Sequence, residues 1–238
     1  PGYREFIKKL KEAIQEGSIE ISRIDDAVTR ILKIKQKMGL LDVPFSNDRS
    51  LIPGVGSAEH RAVARQAVRE SIVILKNEAL LPLAKDLSKI VIAGRGADNV
   101  GMQCGGWSLS WQGNMGDITP GTSILAGVQT SVSDDTEVVH SSKGTSLDGA
   151  DVVIVVVGEE PYAEGVGDQD NLVLSDEDLK LIERVKASGK PMVVVLLSGR
   201  PMIITDVIED TQAFLAAWLP GTEGDGITQV IFGDHSPT

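Results

Sequence analysis

Apolar residues recur every three or four positions near the start of the chain, at Phe6, Ile7, Leu10 and Ile14. That spacing predicts a helix over residues 3–16, stopped by Gly17. A second helix is predicted from Ser22, with Asp25 three residues on as an imperfect capping box. Its apolar stripe is Ile24, Val28, Ile31, Leu32 and Ile34, and Gly39 ends it. Residues 42–58 lose all periodicity and are rich in Pro, Gly, Ser and Asp, which predicts a linker. A third helix is predicted from about Glu59 to Lys76, with Val63, Ala67, Val68, Ile72 and Leu75 on one face.

From Lys89 the pattern changes. Short apolar runs at Ile90–Ala93, Val152–Val157, Met192–Leu197 and Ala213–Ala217, with a weaker one at Glu137–His140, alternate with helical stretches. Those helices are predicted from Thr119 or Pro120 to Val128, from a Ser175 cap to about Lys186, and from Glu223 to Phe232, with Thr222 as a candidate cap. Runs that are apolar at every position belong to strands buried on both faces, as inside a parallel sheet. The fold class expected is therefore α/β, a three-layer α/β/α sandwich with a mainly parallel sheet. The two N-terminal helices have no strands of their own. Too small to bury both apolar faces, they are expected to pack on the rest of the chain or on a domain outside it.

Composition narrows the class of partner. A chain of 238 residues with 42% hydrophobic and 24% charged residues is that of an ordinary soluble globular protein. The formal net charge of -11 argues against a nucleic-acid or anionic membrane surface and leaves neutral sugars open. No apolar run approaches the length of a membrane span, and the polar, lysine-rich start is not a signal peptide. The first residue is Pro1 rather than Met, so a processed or fragmentary chain is expected, cut short at its C-terminus as well. Cys104 is the single cysteine, so no intrachain disulfide forms. His60, His140 and His235 have no spacing suited to a metal or to a nucleophile–base pair, and no metal or other cofactor is expected.

Three features could carry chemistry. After the strongest strand comes an acidic, glycine-hinged loop with Glu159, Glu160, Glu164, Asp168 and Asp170. Ligands of open α/β sheets sit beyond the carboxyl ends of strands, so this loop lies where such folds work; equally, an acidic protein carries solvated acidic loops. In residues 93–113, Trp107 and Trp111 lie four apart among Gly, Ser and Gln. Indole faces suit the C–H faces of sugars, but both rings could instead fold inward as the loop's own core. Gly94, Gly96 and Gly101 in the same segment invite a phosphate cradle, although Asn99 stands where a dinucleotide fingerprint needs a small residue. Ser198–Pro201 and Pro220–Gly224 read more simply as tight turns.

Taken in order, four stretches resemble glycoside hydrolase family 3, the β-glucosidases and exo-β-glucanases. SRIDDAVTRILKIKQKMGLLDVP (residues 22–44) is similar to the end of that family's (β/α)8-type barrel running into its linker. EHRAVARQAVRESIVILKNEALLPL (59–83) is similar to the entry into the second domain. ADNVGMQCGGWSLSWQG (97–113) and GEEPYAEGVGD (158–168) resemble two loops of the exo-glucanase branch. The resemblance implies residues 1–42 as terminal barrel helices, 43–59 as an interdomain linker and 60–238 as the α/β sandwich. It implies retaining hydrolysis with Glu164 as general acid/base, Glu160 and Asp168 being second choices. Trp107 and Trp111 would form the substrate platform, Trp111 stacking on the sugar. The nucleophile would be an Asp of the barrel, which this sequence lacks. The expected partners are a β-glucoside or β-glucan oligosaccharide and the remaining barrel domain, in a periplasmic or secreted protein. A raised pKa at Glu164 is expected from neighbouring carboxylates and an apolar Trp/Tyr surround. A non-catalytic carbohydrate-binding module is the alternative, and a nucleotide-binding domain using Gly94–Gly101 a weaker one.

Overall fold

The computed structural model describes residues 2–43 and 48–237. Pro44, at the end of the first family-like stretch, and part of the predicted linker lie outside them. The chain divides into two compact units, up to Val55 and from Gly56 onward.

The first unit holds helices α1 (Tyr3–Gln15) and α2 (Ile21–Lys37) and a 3-10 turn at Ile52–Gly54. No residue of α1 or α2 is buried. Their apolar stripes, including Phe6, Ile7, Val28, Ile31 and Leu32, are open to solvent. The expected capping box of α2 does not form: the helix starts one residue earlier, at Ile21, after Glu20, with no side-chain cap.

The second unit opens with α3 (Ala58–Ser71), capped by the Ser57 hydroxyl, which accepts from the His60 amide. Here the expectation of one helix to Lys76 fails. Ile72 is already extended, and Val73–Asn77 form strand β1. The β-branched run Ile72–Val73–Ile74 favours the pleated backbone, and pairing with another strand decides the matter. Nor does the predicted face hold: Val63 and Ala67 are exposed, and only Val68 of α3 is buried.

The remaining elements are β2 (Lys89–Ala93), α4 (Val100–Cys104), α5 (Ile124–Ser131), β3 (Glu137–Ser141), β4 (Val152–Gly158), α6 (Asp176–Ala187), β5 (Met192–Leu197), α7 (Thr205–Ile208), β6 (Ala213–Trp218) and α8 (Asp225–Ile231). The short α4 and α7 have no signal in the pattern. Helix α5 starts at Ile124, later than expected, because Ser123 caps it by accepting from the Ala126 amide. Helix α8 starts after Gly224, and Thr222 spends its hydroxyl on Glu223 instead of capping.

The sheet order is β1-β6-β5-β4-β2-β3, with β1 antiparallel to β6 and every other pair parallel. One face packs on α3, α5 and α8 through Ile90, Ile92, Ile154, Val193 and Val195. The other packs on α6 and α7 through Val91, Val153, Val155 and Val194. This is the three-layer α/β/α sandwich that the alternating pattern implied.

Chain direction across the sheet reverses between β2 and β4, since β3 lies outside β2 and β4 on its inner side. Doubly wound sheets hold ligands at such a point. The carboxyl ends of β2, β4 and β5 release three loops on the same side of the sheet: the tryptophan loop, the acidic loop and the turn at Ser198–Pro201.

Candidate active site

The tryptophan loop follows α4, whose first turn is capped by the Asn99 carbonyl oxygen accepting from the Met102 amide. The same oxygen accepts from the Gly116 amide, so one side chain ties both ends of the segment. Between them, the Trp107 amide donates to the Trp111 carbonyl at 2.9 Å, folding the loop back on itself. The two rings are 6.3 Å apart and inclined at 48°. They do not fold inward: Trp107 is 69% and Trp111 56% exposed. The rings are therefore not the loop's own core, and a loop fixed at both ends presents them to solvent, as candidate binding aromatics are presented.

The acidic loop meets it directly. Trp111 Nε1 donates to Glu164 Oε2 at 2.8 Å. Gln112 holds the backbone beside it, accepting from the Ala163 amide at 2.8 Å and donating to the Glu164 carbonyl at 3.4 Å. The Gly167 amide donates to the Ala163 carbonyl, closing a tight turn with Glu164, Gly165 and Val166 exposed at its tip. Gly165 sits in the left-handed region at φ 81°, which a residue with a Cβ rarely adopts. Gly106 lets the two loops touch, since a Cβ there would fall 1.9 Å from the Tyr162 carbonyl oxygen.

Hydrogen bonding from the Trp111 indole holds the Glu164 carboxyl below its ordinary range, with the Trp107 side chain adding to the effect. The expected raised pKa is therefore absent in this chain. Glu164 is exposed, so desolvation is slight, and Glu159 and Glu160 are paired with arginines.

Those carboxylates have other work. Glu160 pairs with Arg95 Nη1 at 2.5 Å. Glu159 accepts from Arg200 and from the Tyr162 hydroxyl. Asp168 is exposed, and its amide donates to the Gly165 carbonyl. Arg95 also donates to the Gly158 carbonyl and to buried Asp178, so its guanidinium fills the reversal point of the sheet. Burial pushes Asp178 up, and Arg95 pulls it back. Arg95 and Gln112 had no motif to mark them, and the stretch holding Arg200 read as a tight turn; their roles come only from loops meeting in space.

Of the three glycines that invite a phosphate cradle, Gly94 and Gly101 are packed on backbone and Gly96 on the Val156, Leu197 and Met102 side chains. A Cβ on Gly94 would lie 2.0 Å from the Val156 oxygen, and one on Gly101 2.1 Å from the Asn114 oxygen. These glycines are accounted for by close packing of the chain on itself. Among the described residues no cluster of His, Cys, Asp and Glu could hold a metal, and no helix is long and apolar enough to cross a membrane.

A mainly parallel α/β sandwich with one carboxylate against two exposed indoles at its strand ends defines a class, an α/β domain with an exposed carboxylate–aromatic loop pair. Residues 72–238 match the glycosyl hydrolase family 3 C-terminal domain, and the chain belongs to that family. It is 33% identical over 254 residues to the lysosomal beta glucosidase of Dictyostelium discoideum, covering 96% of this chain and 31% of that protein. It is 30% identical to the periplasmic beta-glucosidase of Salmonella typhimurium, covering 98% and 35%. Among solved structures, the Q683A mutant of the exo-1,3/1,4-beta-glucanase from a Pseudoalteromonas species superposes with a TM-score of 0.83 at 40% identity, covering 95% of this chain and 38% of that one. The chain thus spans about a third of the length of these relatives.

Proposed function

We propose that this chain supplies the general acid/base and an aromatic substrate platform to a retaining, exo-acting β-glucosidase or β-glucanase. The observation that carries the reading is the 2.8 Å hydrogen bond from the exposed Trp111 indole to the exposed Glu164 carboxylate. Retaining hydrolysis needs two carboxyl groups, one on each side of the scissile bond. Glu164 is the one offered here. The other, an Asp nucleophile, belongs to the remainder of a barrel domain, outside this chain. Residues 1–42 are its last helices and 43–59 the linker to the sandwich. A periplasmic or secreted location accords with the name of the Salmonella relative.

The lowered pKa fits one half of the cycle. The glycosyl-enzyme intermediate is cleared by water, which needs an ionised base, and indole donation keeps Glu164 ionised. The first half needs the proton on Glu164. A sugar stacked on Trp111 would cover the carboxylate, and the lost hydration raises its pKa. Proton transfer to the leaving oxygen then becomes favourable. The switch is from solvated and ionised to covered and protonated, driven by substrate binding.

The test uses the full-length protein with Glu164→Ala. On an aryl β-glucoside with a poor leaving group, turnover should fall by about 10²–10⁴-fold. With an activated leaving group, added azide should restore turnover and yield the β-glucosyl azide. Near-normal turnover would remove Glu164 from the role and send the search to Glu160 or Asp168. Retained glucoside binding, with no turnover even in the unaltered protein, would make the chain a carbohydrate-binding module. By itself the 238-residue chain should turn nothing over, because it offers one carboxylate of the pair.

A further inference from the structure

The turn that carries Glu164 is exposed at its tip, where only Trp111 and Gln112 bond to Glu164, so its position depends heavily on its two feet. Ala163 and Gly167 are both buried, and both are held by other loops. At the first foot the Ala163 amide donates to Gln112. At the second, the Gly167 carbonyl accepts from Arg200 Nη1 at 2.6 Å.

Arg200 does more than hold one foot. Its Nε and Nη2 donate to Glu159 Oε1 at 2.8 and 2.6 Å, at the start of the acidic loop. Its Cζ lies 4.5 Å from the centre of the Tyr162 ring, and the Tyr162 hydroxyl donates to the second Glu159 oxygen at 3.1 Å. One guanidinium therefore ties the beginning, middle and end of the loop to the turn after β5. The Glu159 side chain is only 12% exposed, so these charge-assisted bonds are poorly replaced by water. Gly199 keeps the approach close, since a Cβ there would lie 3.0 Å from the Tyr162 hydroxyl. Gly167 does the same, with a hypothetical Cβ 2.1 Å from Tyr162 Cδ2.

We propose that Arg200 is a positioning residue that fixes the Glu164 carboxylate against the Trp111 indole. It bonds to Glu159 and Gly167 and stacks on Tyr162 rather than bonding to Glu164, and acts through those three. A lysine cannot substitute, because a single ammonium lacks the planar fork that spans two acceptors while stacking on a ring. The inference rests on the reading of Glu164 as acid/base.

The test reads the contact and the reaction separately. In the 238-residue chain, indole emission is followed against pH. Glu164→Gln is the blank and should abolish the acid-side transition. In the unaltered chain its midpoint should lie below the ordinary carboxylate range. In Arg200→Lys and Arg200→Ala it should move up toward that range, with the far-ultraviolet circular dichroism unchanged. In the full-length protein Arg200→Lys should lower kcat by about 10²-fold, with KM changed far less, as for a displaced catalytic group. Added guanidinium should recover part of the Arg200→Ala loss. Where Arg200→Ala does not fold, Glu159→Gln weakens one arm only and should shift the midpoint the same way by less.

Arg200 variants with an unshifted midpoint and unchanged kcat would overturn the proposal while leaving Glu164 in place. A blank that titrates like the unaltered chain would also overturn it, by removing the indole–carboxylate contact. Full turnover in Glu164→Gln would instead strike the acid/base reading itself.

Discussion

At the scale of single residues, the site rests on one donor and one acceptor. Trp111 gives its N–H to Glu164, and the carboxylate answers with a lowered pKa. The sign of the consequence is fixed. A carboxyl whose folded-state pKa is depressed adds stability above its ordinary pKa and loses it as pH falls through the folded value. Trp111→Phe keeps a ring and removes the donor, so the Glu164 pKa should rise. Carbon-13 shifts of the labelled Glu164 carboxyl, followed against pH, would check the direction. An unchanged titration would mean that the indole hydrogen bond has no hold on the carboxylate. Both Trp and Glu were legible as candidates from the loop sequences. Their contact was not, because residues 53 positions apart in the chain meet only through the sheet. Gln112 and Arg200 were illegible for the same reason: a lone Gln or Arg in a loop carries no pattern until its acceptors are in place.

At the scale of elements, the loops are only as well placed as the strands that release them. Gly94 leaves β2 with φ 101°, its Cα facing the Val156 carbonyl of β4. Gly94→Ala forces both a disfavoured backbone and a backbone clash, and should cost about 3 kcal/mol in urea unfolding. A loss below about 0.5 kcal/mol would show that the two strands can part freely. On the opposite flank, Arg61 and Arg65 of α3 reach Glu223, which is 1% exposed, at 2.8 and 3.3 Å. Thr222 adds a hydroxyl donor. Glu223→Ala leaves two arginines without their shared acceptor. Both are partly exposed and regain water, so a loss near the lower end for a broken buried pair, about 3 kcal/mol, is expected from denaturant melts. Strands β2, β4, β5 and β6 were legible because unbroken apolar runs have few other uses. Strand β1 was not: its half-exposed alternation, Val73 and Leu75 outward and Ile74 partly inward, joins a helical stripe without a break. Only the partner strand β6 made it a strand.

At the scale of the whole molecule, the two units differ in how they are held. The sandwich has two buried layers of core, one on each face of its sheet. Helices α1 and α2 bury no residue, although their stripes of Phe6, Ile7, Ile31 and Leu32 are those of helices that pack.

The sequence by itself determined the layers. Where short, β-branched apolar runs are continuous and bounded by turn residues, a strand buried on both faces follows, since a buried helix needs a longer run. It also marked the two loops, through residue types whose side chains have few structural reasons to cluster. What the tertiary structure decided was neighbourhood. Reversal of the sheet between β2 and β4 brings three loop ends to one side. Close approaches at Gly106 to the Tyr162 carbonyl and at Gly199 to the Tyr162 hydroxyl then let those loops touch. Hydrogen bonds between distant residues depend on that placement alone, which is why Glu164 could be named from the chain but its lowered pKa, its indole partner and the arginine brace behind it could not.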